Sequence, residues 1–325
     1  MKNASHRAAV RLLLAATGLA AAAVAPAHAQ GTYPTQPIQL VVPFAAGGGL
    51  DLNARNFAQA LSEALPASVV VNNRDGAAGT IGLQNVASAR ADGYTAAFTP
   101  AVPLSSEPHR IKSISYNLDS FKYVCQVFDN IFAIAVPKNS PYKSVAELVA
   151  GAQREPGKLS YGTSGTGSIA HLGISDVESA TKSRFIHVPY RGDAPMLQDL
   201  LAQRLDFGAL LASSIVGQLN EGTLRLLAVY SDRRHPAFPQ TPTLKEAGVP
   251  VVQLSFGGLL VPAQTPDSVV ATLEAGCQKA AQSPKYQAWA KQANQVLDYL
   301  PGTEFKKRMQ QDSQAKSATL KRLGL

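Results

Sequence analysis

The sequence contains few of the residues that metal-dependent or disulfide-rich proteins require. Only two cysteines, Cys125 and Cys277, occur in 325 residues. They lie in a predicted strand and a predicted helix, where single cysteines are usually buried small hydrophobes, although an oxidising compartment would allow them to pair. No His, Cys, Asp or Glu cluster has the spacing of metal ligands. We therefore expect no metal and no cofactor.

Patterns typical of nucleotide or nucleic-acid chemistry are also missing. No glycine-rich stretch carries the lysine of a phosphate-binding loop, which excludes nucleotide hydrolysis of that type. The formal net charge is +8, but the basic residues are dispersed and not interleaved with aromatic residues, so we expect no nucleic-acid partner. A mild positive field would instead steer a small anion toward the protein.

One function to be weighed is that of a secreted hydrolase, with Ser164 or Ser168 as the nucleophile. The stretch GTSGTGS (residues 162–168) fails the pattern G-x-S-x-G, because Thr166 stands at the last glycine position. His171 follows Ser168 closely, but a histidine on an apolar helical face is usually structural, and no acidic partner is evident. The set of nucleophile, base and acid that a secreted hydrolase needs is therefore incomplete.

The first 29 residues are typical of a secretory signal peptide. Basic residues precede an apolar run at residues 12–24, and Ala27-His28-Ala29 matches a cleavage site. A membrane anchor is the alternative, but the apolar run is short for a bilayer span. We expect an exported protein whose mature chain begins at Gln30.

Two glycine turns stand at predicted starts of helices. In residues 37–55, the strand Ile38–Val42 leads into Gly47-Gly48-Gly49 and a helix capped by Asp51; residues 159–169 repeat the pattern with GTSGTGS. The first N–H groups of a helix are unpaired and lie at the positive end of its dipole, so such a turn can bind an anion. The alternative is that the glycines only allow a tight turn. The pair favours a protein that holds a small carboxylate.

Strands alternate with helices in two consecutive series, which predicts an α/β protein with a largely parallel sheet in each series. The helical C-terminal region is long enough to pack back on the first series. We expect two lobes with a ligand cleft between them: residues 30–130 with 256–325 form lobe 1, and residues 131–255 form lobe 2. Ser144 and Glu147 are predicted to form a capping box at the start of one helix.

Seven motifs in series resemble those of one family, the Bug periplasmic receptors of tripartite tricarboxylate transporters. They cover nearly the whole mature chain and include YPTQPIQLVVPFAAGG (residues 33–48), VVVNNRDGAAGTIG (69–82), ADGYT (91–95), PGKLSYGTSGTGSIAHL (156–172), VPYRGDAPMLQDLLAQRLD (188–206), LRLLAVYSDRRHPAFPQTPTLKEAG (224–248) and GLLVPAQTP (258–266). The resemblance implies the two-lobed fold of type II periplasmic binding proteins, joined by two hinge strands that close on a small carboxylate. It implies a binding protein, not an enzyme.

The resemblance also implies which residues contact the ligand. In lobe 1 these are Phe44, Ala45, Gly48 and Gly49. In lobe 2 they are Thr163, Ser164, Gly165, Thr166 and Ser168, with Arg191, Gly192, Asp193 and Ala194 of a further turn. Read from the residues alone, two alternatives stay open: a solvent-exposed turn in which Asp193 caps the following helix, or a turn in which Arg191 is a carboxylate clamp.

This chain departs from the family pattern at two places. Leu50 replaces a small hydroxyl residue, and residues 99–103 (TPAVP) replace a stretch of small residues. Both changes make the lobe 1 wall more apolar, which favours an aromatic or aliphatic carboxylate over a citrate-like or amino-acid ligand. The partners implied by the resemblance are the membrane subunits of a transporter or, alternatively, a sensor domain, and a monomer is expected.

Overall fold

The structure is a computed structural model that describes residues 33–325. The predicted signal peptide, residues 1–29, lies outside the described residues. Among the helices of residues 33–325, none combines the length and the apolar character that a bilayer span requires.

The first sheet is mixed and contains six strands in the order β11-β4-β10-β3-β1-β2. Strand β1 pairs in parallel with β2 on one side and β3 on the other, whereas the pairs that involve β10 or β4 are antiparallel. The six strands are β1 (Ile38–Val42), β2 (Val69–Asn73), β3 (Thr95–Pro100), β4 (Phe121–Asp129), β10 (Phe256–Pro262) and β11 (Val296–Pro301).

The second sheet contains five strands in the order β7-β6-β8-β5-β9. Strand β6 pairs in parallel with β7 and β8, and β5 pairs antiparallel with β8 and β9. The five strands are β5 (Phe132–Pro137), β6 (Ser160–Thr163), β7 (Ile186–Pro189), β8 (Phe207–Leu211) and β9 (Leu224–Val229).

The prediction of largely parallel sheets was wrong. Each sheet has a parallel group of three strands built from βαβ units, but its remaining strands are joined by antiparallel pairs: β10 and β11 run opposite to the group in the first sheet, and β5 runs opposite to the group in the second. Strands β4 and β5 follow one another across a two-residue link but lie in different sheets. Strands β5 and β10 each begin where the chain enters one sheet from the other, so they pair antiparallel with their neighbours and are not connected by the βαβ crossovers that sequence alternation suggests.

Helices connect the strands, and the buried sides of the longer ones cover the sheets. At the helix Val145–Arg154 half of the predicted capping box is confirmed: the Ser144 hydroxyl accepts a hydrogen bond from the Glu147 N–H at 3.2 Å, whereas the Glu147 carboxylate accepts from the Lys143 N–H and not from that of Ser144. The helices are α1 (Gly49–Ala64), α2 (Thr80–Ala87), α3 (Val102–Ser105), α4 (Glu107–Arg110), α5 (Val145–Arg154), α6 (Ile169–Thr181), α7 (Asp193–Leu201), α8 (Val216–Asn220), α9 (Asp267–Ala281), α10 (Pro284–Gln292) and α11 (Gly302–Leu323).

The chain passes between the sheets twice, at residues 130–131 and at residues 230–255. The two crossings lie side by side, because the Asn130 N–H donates to the Ser255 carbonyl at 2.6 Å and the Tyr230 N–H donates to the Phe132 carbonyl at 2.8 Å. Each sheet takes all of its strands from one of the two predicted lobes. The exact lobe boundaries stay a prediction.

Each sheet has its own hydrophobic core. Phe305 and Met309 of α11 pack into the core of the first sheet, so the helical C-terminus does return to the first series of elements. The core of the second sheet includes Tyr161, Phe207 and Tyr230. Two separate cores allow each half to hold its own turns in place.

Cys125 and Cys277 form a disulfide that joins β4 to α9, with their Cα atoms 6.6 Å apart. The expectation of two separate buried cysteines was therefore wrong. The two residues are 152 positions apart, and neither carries a local signal of pairing. Only the tertiary packing of α9 on β4 brings them together.

Candidate functional site

The first glycine turn leaves the carboxyl end of β1 and enters α1. Residues 45–49 are exposed, and Gly47 has a φ of +83°, a conformation that favours glycine. A Cβ built on Gly49 would meet no atom within 4 Å. The turn therefore presents open backbone next to the start of a helix.

A buried carboxylate holds this turn. Asp51 accepts hydrogen bonds from the Gly47 N–H at 2.8 Å, Arg55 Nε at 2.9 Å and Asn73 Nδ2 at 2.9 Å. Burial opposes ionisation of Asp51, but the hydrogen bonds from Arg55, Gly47 and Asn73 outweigh it and hold its pKa below the usual value.

The prediction that Asp51 caps the helix was wrong. Helix α1 begins at Gly49, and Gly48 is the N-cap residue without a side-chain hydrogen bond. Glycine residues allow the helix to begin two residues before Asp51, so Asp51 lies in the first turn of the helix. From there its carboxylate reaches back to the Gly47 N–H.

The second glycine turn leaves the carboxyl end of β6 and enters α6. Thr163 is fully buried, and its hydroxyl contacts His187 Nε2 at 2.7 Å and accepts from the Gly165 N–H at 3.2 Å. Ser164, Gly165 and Ser168 are half-buried and Thr166 is exposed, so those four residues are accessible whereas Thr163 is not.

Two stacked histidine rings, those of His171 and His187, lie against the second turn. The rings of His171 and His187 are 4.1 Å apart and nearly parallel, and His171 Nδ1 accepts from the Gly167 N–H at 3.0 Å. The pKa of His187 is lowered to about 4, mainly because the ring is buried and to a lesser extent because His171 lies beside it. Burial and then Arg110 lower the pKa of His171. Both rings are therefore neutral near pH 7 and act as structural supports.

The geometry at Ser168 is that of a helix cap, because its hydroxyl accepts from the His171 N–H at 3.3 Å. Within residues 33–325, no hydrogen bond joins the hydroxyl of Ser164 or Ser168 to a histidine ring. His171 Nδ1 is occupied by a backbone N–H. The arrangement lacks the nucleophile–base contact that a serine hydrolase uses.

A third turn follows β7 and includes the remaining predicted residues. Arg191 and Ala194 are exposed, and Gly192 has a φ of +105°. Helix α7 begins at Asp193 and its N-cap residue is Gly192, so the prediction of Asp193 as a cap was wrong. Instead, burial raises the pKa of Asp193, while hydrogen bonding to the Ser164 side chain and the Leu211 backbone opposes this rise. Its Oδ1 atom is buried and has no hydrogen-bond partner.

The sequence analysis missed one residue beside the second turn, Arg110 of α4. A Cβ built on Gly167 would lie only 2.9 Å from Arg110 Cζ, so the guanidinium from the first-sheet half lies against the turn of the second. Arg110 Nη1 contacts Glu107 Oε1 at 3.0 Å, and Glu107 is buried. No motif marks this residue, because it is 57 positions from Gly167 in the sequence.

Both glycine turns occupy equivalent positions in their sheets. The chain continues from β1 to β2 on one side while β3 lies on the other, and β6 has the same relation to β7 and β8. In α/β sheets, ligands bind at the carboxyl ends of strands where the direction of winding switches. The two turns therefore lie at the two positions where this topology favours a ligand.

Neither a metal site nor the cavity described next indicates a functional site elsewhere in residues 33–325. No group of three or more His, Cys, Asp or Glu residues in this part of the chain is placed to hold a metal ion. A cavity of about 530 Å³ is lined by residues that include His235, Lys291 and Val296, and by no residue of either glycine turn. We therefore base the site on the turns and not on this cavity.

Comparisons with known proteins agree with the topology. Residues 53–325 match the model of the tripartite tricarboxylate transporter family receptor. A Cupriavidus necator protein described as "UPF0065 protein in gbd 5'region" is 32% identical over 320 residues, covering 98% of this chain and 96% of the relative.

Solved structures are also similar to this chain. The periplasmic binding protein BugD is 30% identical with a TM-score of 0.73, and the match covers 90% of this chain and 99% of BugD. R. palustris Rpa4515, solved with adipate, is 29% identical with a TM-score of 0.76, covering 90% of this chain and 98% of that one. The α/β fold predicted from the sequence is thus confirmed, and these neighbours do not support the hydrolase alternative.

Proposed function

The chain belongs to the tripartite tricarboxylate transporter receptor family, and from this premise we propose that it captures a small organic carboxylate in the periplasm and delivers it to membrane transport subunits. The observation that carries the proposal is the pair of accessible glycine turns, each at a winding switch of its own sheet. BugD is described as periplasmic, and Rpa4515 was solved with a dicarboxylate, which supports both the compartment and the ligand class.

Binding in this proposal depends on closure of two lobes, residues 30–130 with 256–325 and residues 131–255. The first turn contributes backbone groups near Gly48 and Gly49. The second contributes the backbone and hydroxyl groups of residues 164–168, and the turn at residues 191–194 completes the site. The closed state adds contacts that the open state lacks, and this difference in affinity is what shifts the equilibrium toward closure.

Thr163 has a supporting role in this proposal and does not contact the ligand. Its side chain is fully buried and its hydroxyl is occupied by His187 and Gly165. By contrast, Ser164, Thr166 and Ser168 remain accessible. We therefore keep all residues implied by the family resemblance as proposed ligand contacts, with the exception of Thr163.

The ligand class follows from the apolar groups around the first turn. Leu52 in the first turn of α1 is 49% exposed, and Ile81 in the first turn of α2 is 54% exposed. Phe44 is half-buried, and its Cε2 atom would lie 3.1 Å from a Cβ built on Gly79, so its ring packs on Gly79. Exposed apolar side chains at a binding surface favour a ligand with an apolar body. We therefore propose an aliphatic or aromatic carboxylate.

A thermal-shift screen with mono-, di- and aromatic carboxylates tests the proposal. A ligand at a hundred times its dissociation constant stabilises the folded state by about 2.7 kcal/mol. Mass spectrometry after long incubation should recover the ligand unchanged. Stoichiometric conversion to a product, or no stabilisation by any carboxylate, would contradict the proposal.

A further inference from the structure

Two residues of opposite charge lie near the second glycine turn. Arg110 lies against Gly167. Asp193 belongs to the turn after β7, which lies beside the second turn because the Tyr190 N–H donates to the Thr163 carbonyl at 2.9 Å and the Tyr190 carbonyl would be 3.6 Å from a Cβ built on Gly165. A ligand seated on the second turn therefore has both a cation and an anion in its neighbourhood.

Asp51, the carboxylate beside the first turn, has its hydrogen-bonding capacity occupied. Gly47, Arg55 and Asn73 donate to its two oxygens, so it presents little accepting capacity to a ligand. Asp193 differs, because its Oδ1 atom is buried without a partner. A buried carboxylate oxygen without a donor is costly, and a donor on the ligand would remove that cost.

Arg110 has hydrogen-bonding capacity to spare. Within residues 33–325, Nη1 is the only guanidinium nitrogen of Arg110 with a hydrogen bond, and both of its contacts are to Glu107. The side chain is 29% exposed, whereas the Glu107 side chain is 3% exposed. The guanidinium is thus anchored on its buried side and retains donors with which a second carboxylate can pair.

We propose that Arg110 and Asp193 select a dipolar ligand: Arg110 pairs with its carboxylate, and Asp193 accepts a hydrogen bond from a hydroxyl or ammonium group on the same molecule. This inference rests on the proposed receptor function and narrows its ligand class. The apolar groups of the first turn contact the body of the ligand. A plain dicarboxylate would bring a second negative charge to Asp193 and is disfavoured.

A matched set of probes tests the selection by isothermal titration calorimetry. The aliphatic set is hexanoate, adipate, ω-hydroxyhexanoate and ω-aminohexanoate, and the aromatic set is benzoate, terephthalate, p-hydroxymethylbenzoate and p-aminomethylbenzoate. In at least one set, the hydroxyl or ammonium member should bind more tightly than the dicarboxylate by about tenfold or more. Tighter binding of both dicarboxylates, or no binding in either set, overturns the inference.

Two variants assign the selection to its residues. Asp193→Asn should reduce the preference for the ammonium member over the dicarboxylate by about tenfold, because repulsion of the dicarboxylate disappears together with the ion pair. Asp232→Asn removes the same charge from an exposed loop and serves as the control. An unchanged preference in Asp193→Asn would show that Asp193 is only structural.

The variant of Arg110 needs care, because its loss leaves Glu107 buried without a cationic partner. We therefore use the double variant Glu107→Gln/Arg110→Gln, with Arg154→Gln as an exposed control for the charge of the arginine. The double variant should weaken binding of every carboxylate in the sets by about tenfold, whereas the control should not. Folding is checked by thermal denaturation, and full affinity in a folded double variant overturns the role of Arg110.

The outcomes separate this inference from the receptor function. If dicarboxylates bind best and are recovered unchanged, the receptor function stands and the dipolar selection fails. If no carboxylate of the wider screen binds, both fail.

Discussion

The two glycine turns occupy the same position in their sheets but are held by different chemistry. One ionised carboxylate, that of Asp51, holds the first turn through its contacts with Gly47 and Asn73. The second turn is held by several neutral groups, including the stacked rings of His171 and His187 and the cap at Ser168. The first turn thus depends on Asp51 and on Asn73, whose Nδ2 also donates to the Phe44 carbonyl at 3.0 Å, whereas support for the second is distributed over more groups.

The largest effect should come from removing Asp51. Asp51→Ala deletes three hydrogen bonds to a charged acceptor and should lower the free energy of unfolding by about 3 kcal/mol. Ser168→Ala, its counterpart in the second turn, should cost only about 1 kcal/mol because it removes one cap. Urea denaturation measures both values. Equal losses in the two variants would show that the turns do not differ in this way.

Glycine substitutions should affect binding in the first turn and folding in the second. A Cβ built on Gly49 meets no atom within 4 Å, so Gly49→Val should change the free energy of unfolding by less than about 1 kcal/mol. The branched side chain should nevertheless block approach of the ligand and weaken binding by about tenfold or more.

Gly167 provides the contrast for Gly49. It has a φ of +79° and lies against Arg110, so Gly167→Ala should destabilise the fold by about 1–2 kcal/mol. Calorimetry and denaturation on both variants test the contrast. Unchanged affinity in a folded Gly49→Val protein would mean that the first turn is only structural.

Acid should affect the second turn before the first. The pKa of His187 is about 4 in the folded protein and 6.5 in the unfolded chain, so the unfolded chain binds more protons between these values. The stability from neutral His187 is complete above pH 6.5 and is lost as the pH falls toward 4. Asp51, whose pKa lies below 3.8, loses its contribution only at lower pH.

The variant His187→Gln isolates this effect. It keeps a group that can hydrogen bond to Thr163 but does not titrate, so it should lose about 1 kcal/mol less stability than the wild type over this range, allowing for its partial exposure. Denaturation at a series of pH values measures the difference, with Asp51→Asn as the control in the first turn. Parallel curves for wild type and His187→Gln would contradict the expectation.

The smallest effect should come from single hydroxyl deletions in the second turn. Ser164→Ala and Thr166→Ala should each weaken carboxylate binding by about 1 kcal/mol or less, and salt should change the affinity only weakly if the contacts are buried. The best ligand of the screen is titrated at low and high salt. Unchanged affinity in both variants would place the ligand away from the second turn.

Local patterns in the sequence were sufficient to predict both turns and the alternation of strands and helices. The strand Ile38–Val42 and the start of α6 at Ile169 lie where the pattern placed them. The role of Asp51 was wrong because glycine allowed the helix to begin earlier than its cap residue suggested. Arg110 could not be found, since its position beside Gly167 depends on how the two halves pack together and not on any neighbouring residue.

The disulfide has a consequence for the order in which the protein is built. Cys125 precedes every strand of the second sheet, and Cys277 follows all of them, 152 positions later. During synthesis, the whole second sheet is therefore complete before Cys125 can meet its partner. A chain whose synthesis stops just before Cys277 contains all strands of the second sheet but leaves Cys125 without a partner. The crosslink can therefore form only in a chain that has been made as far as Cys277 and so already contains every strand of the second sheet.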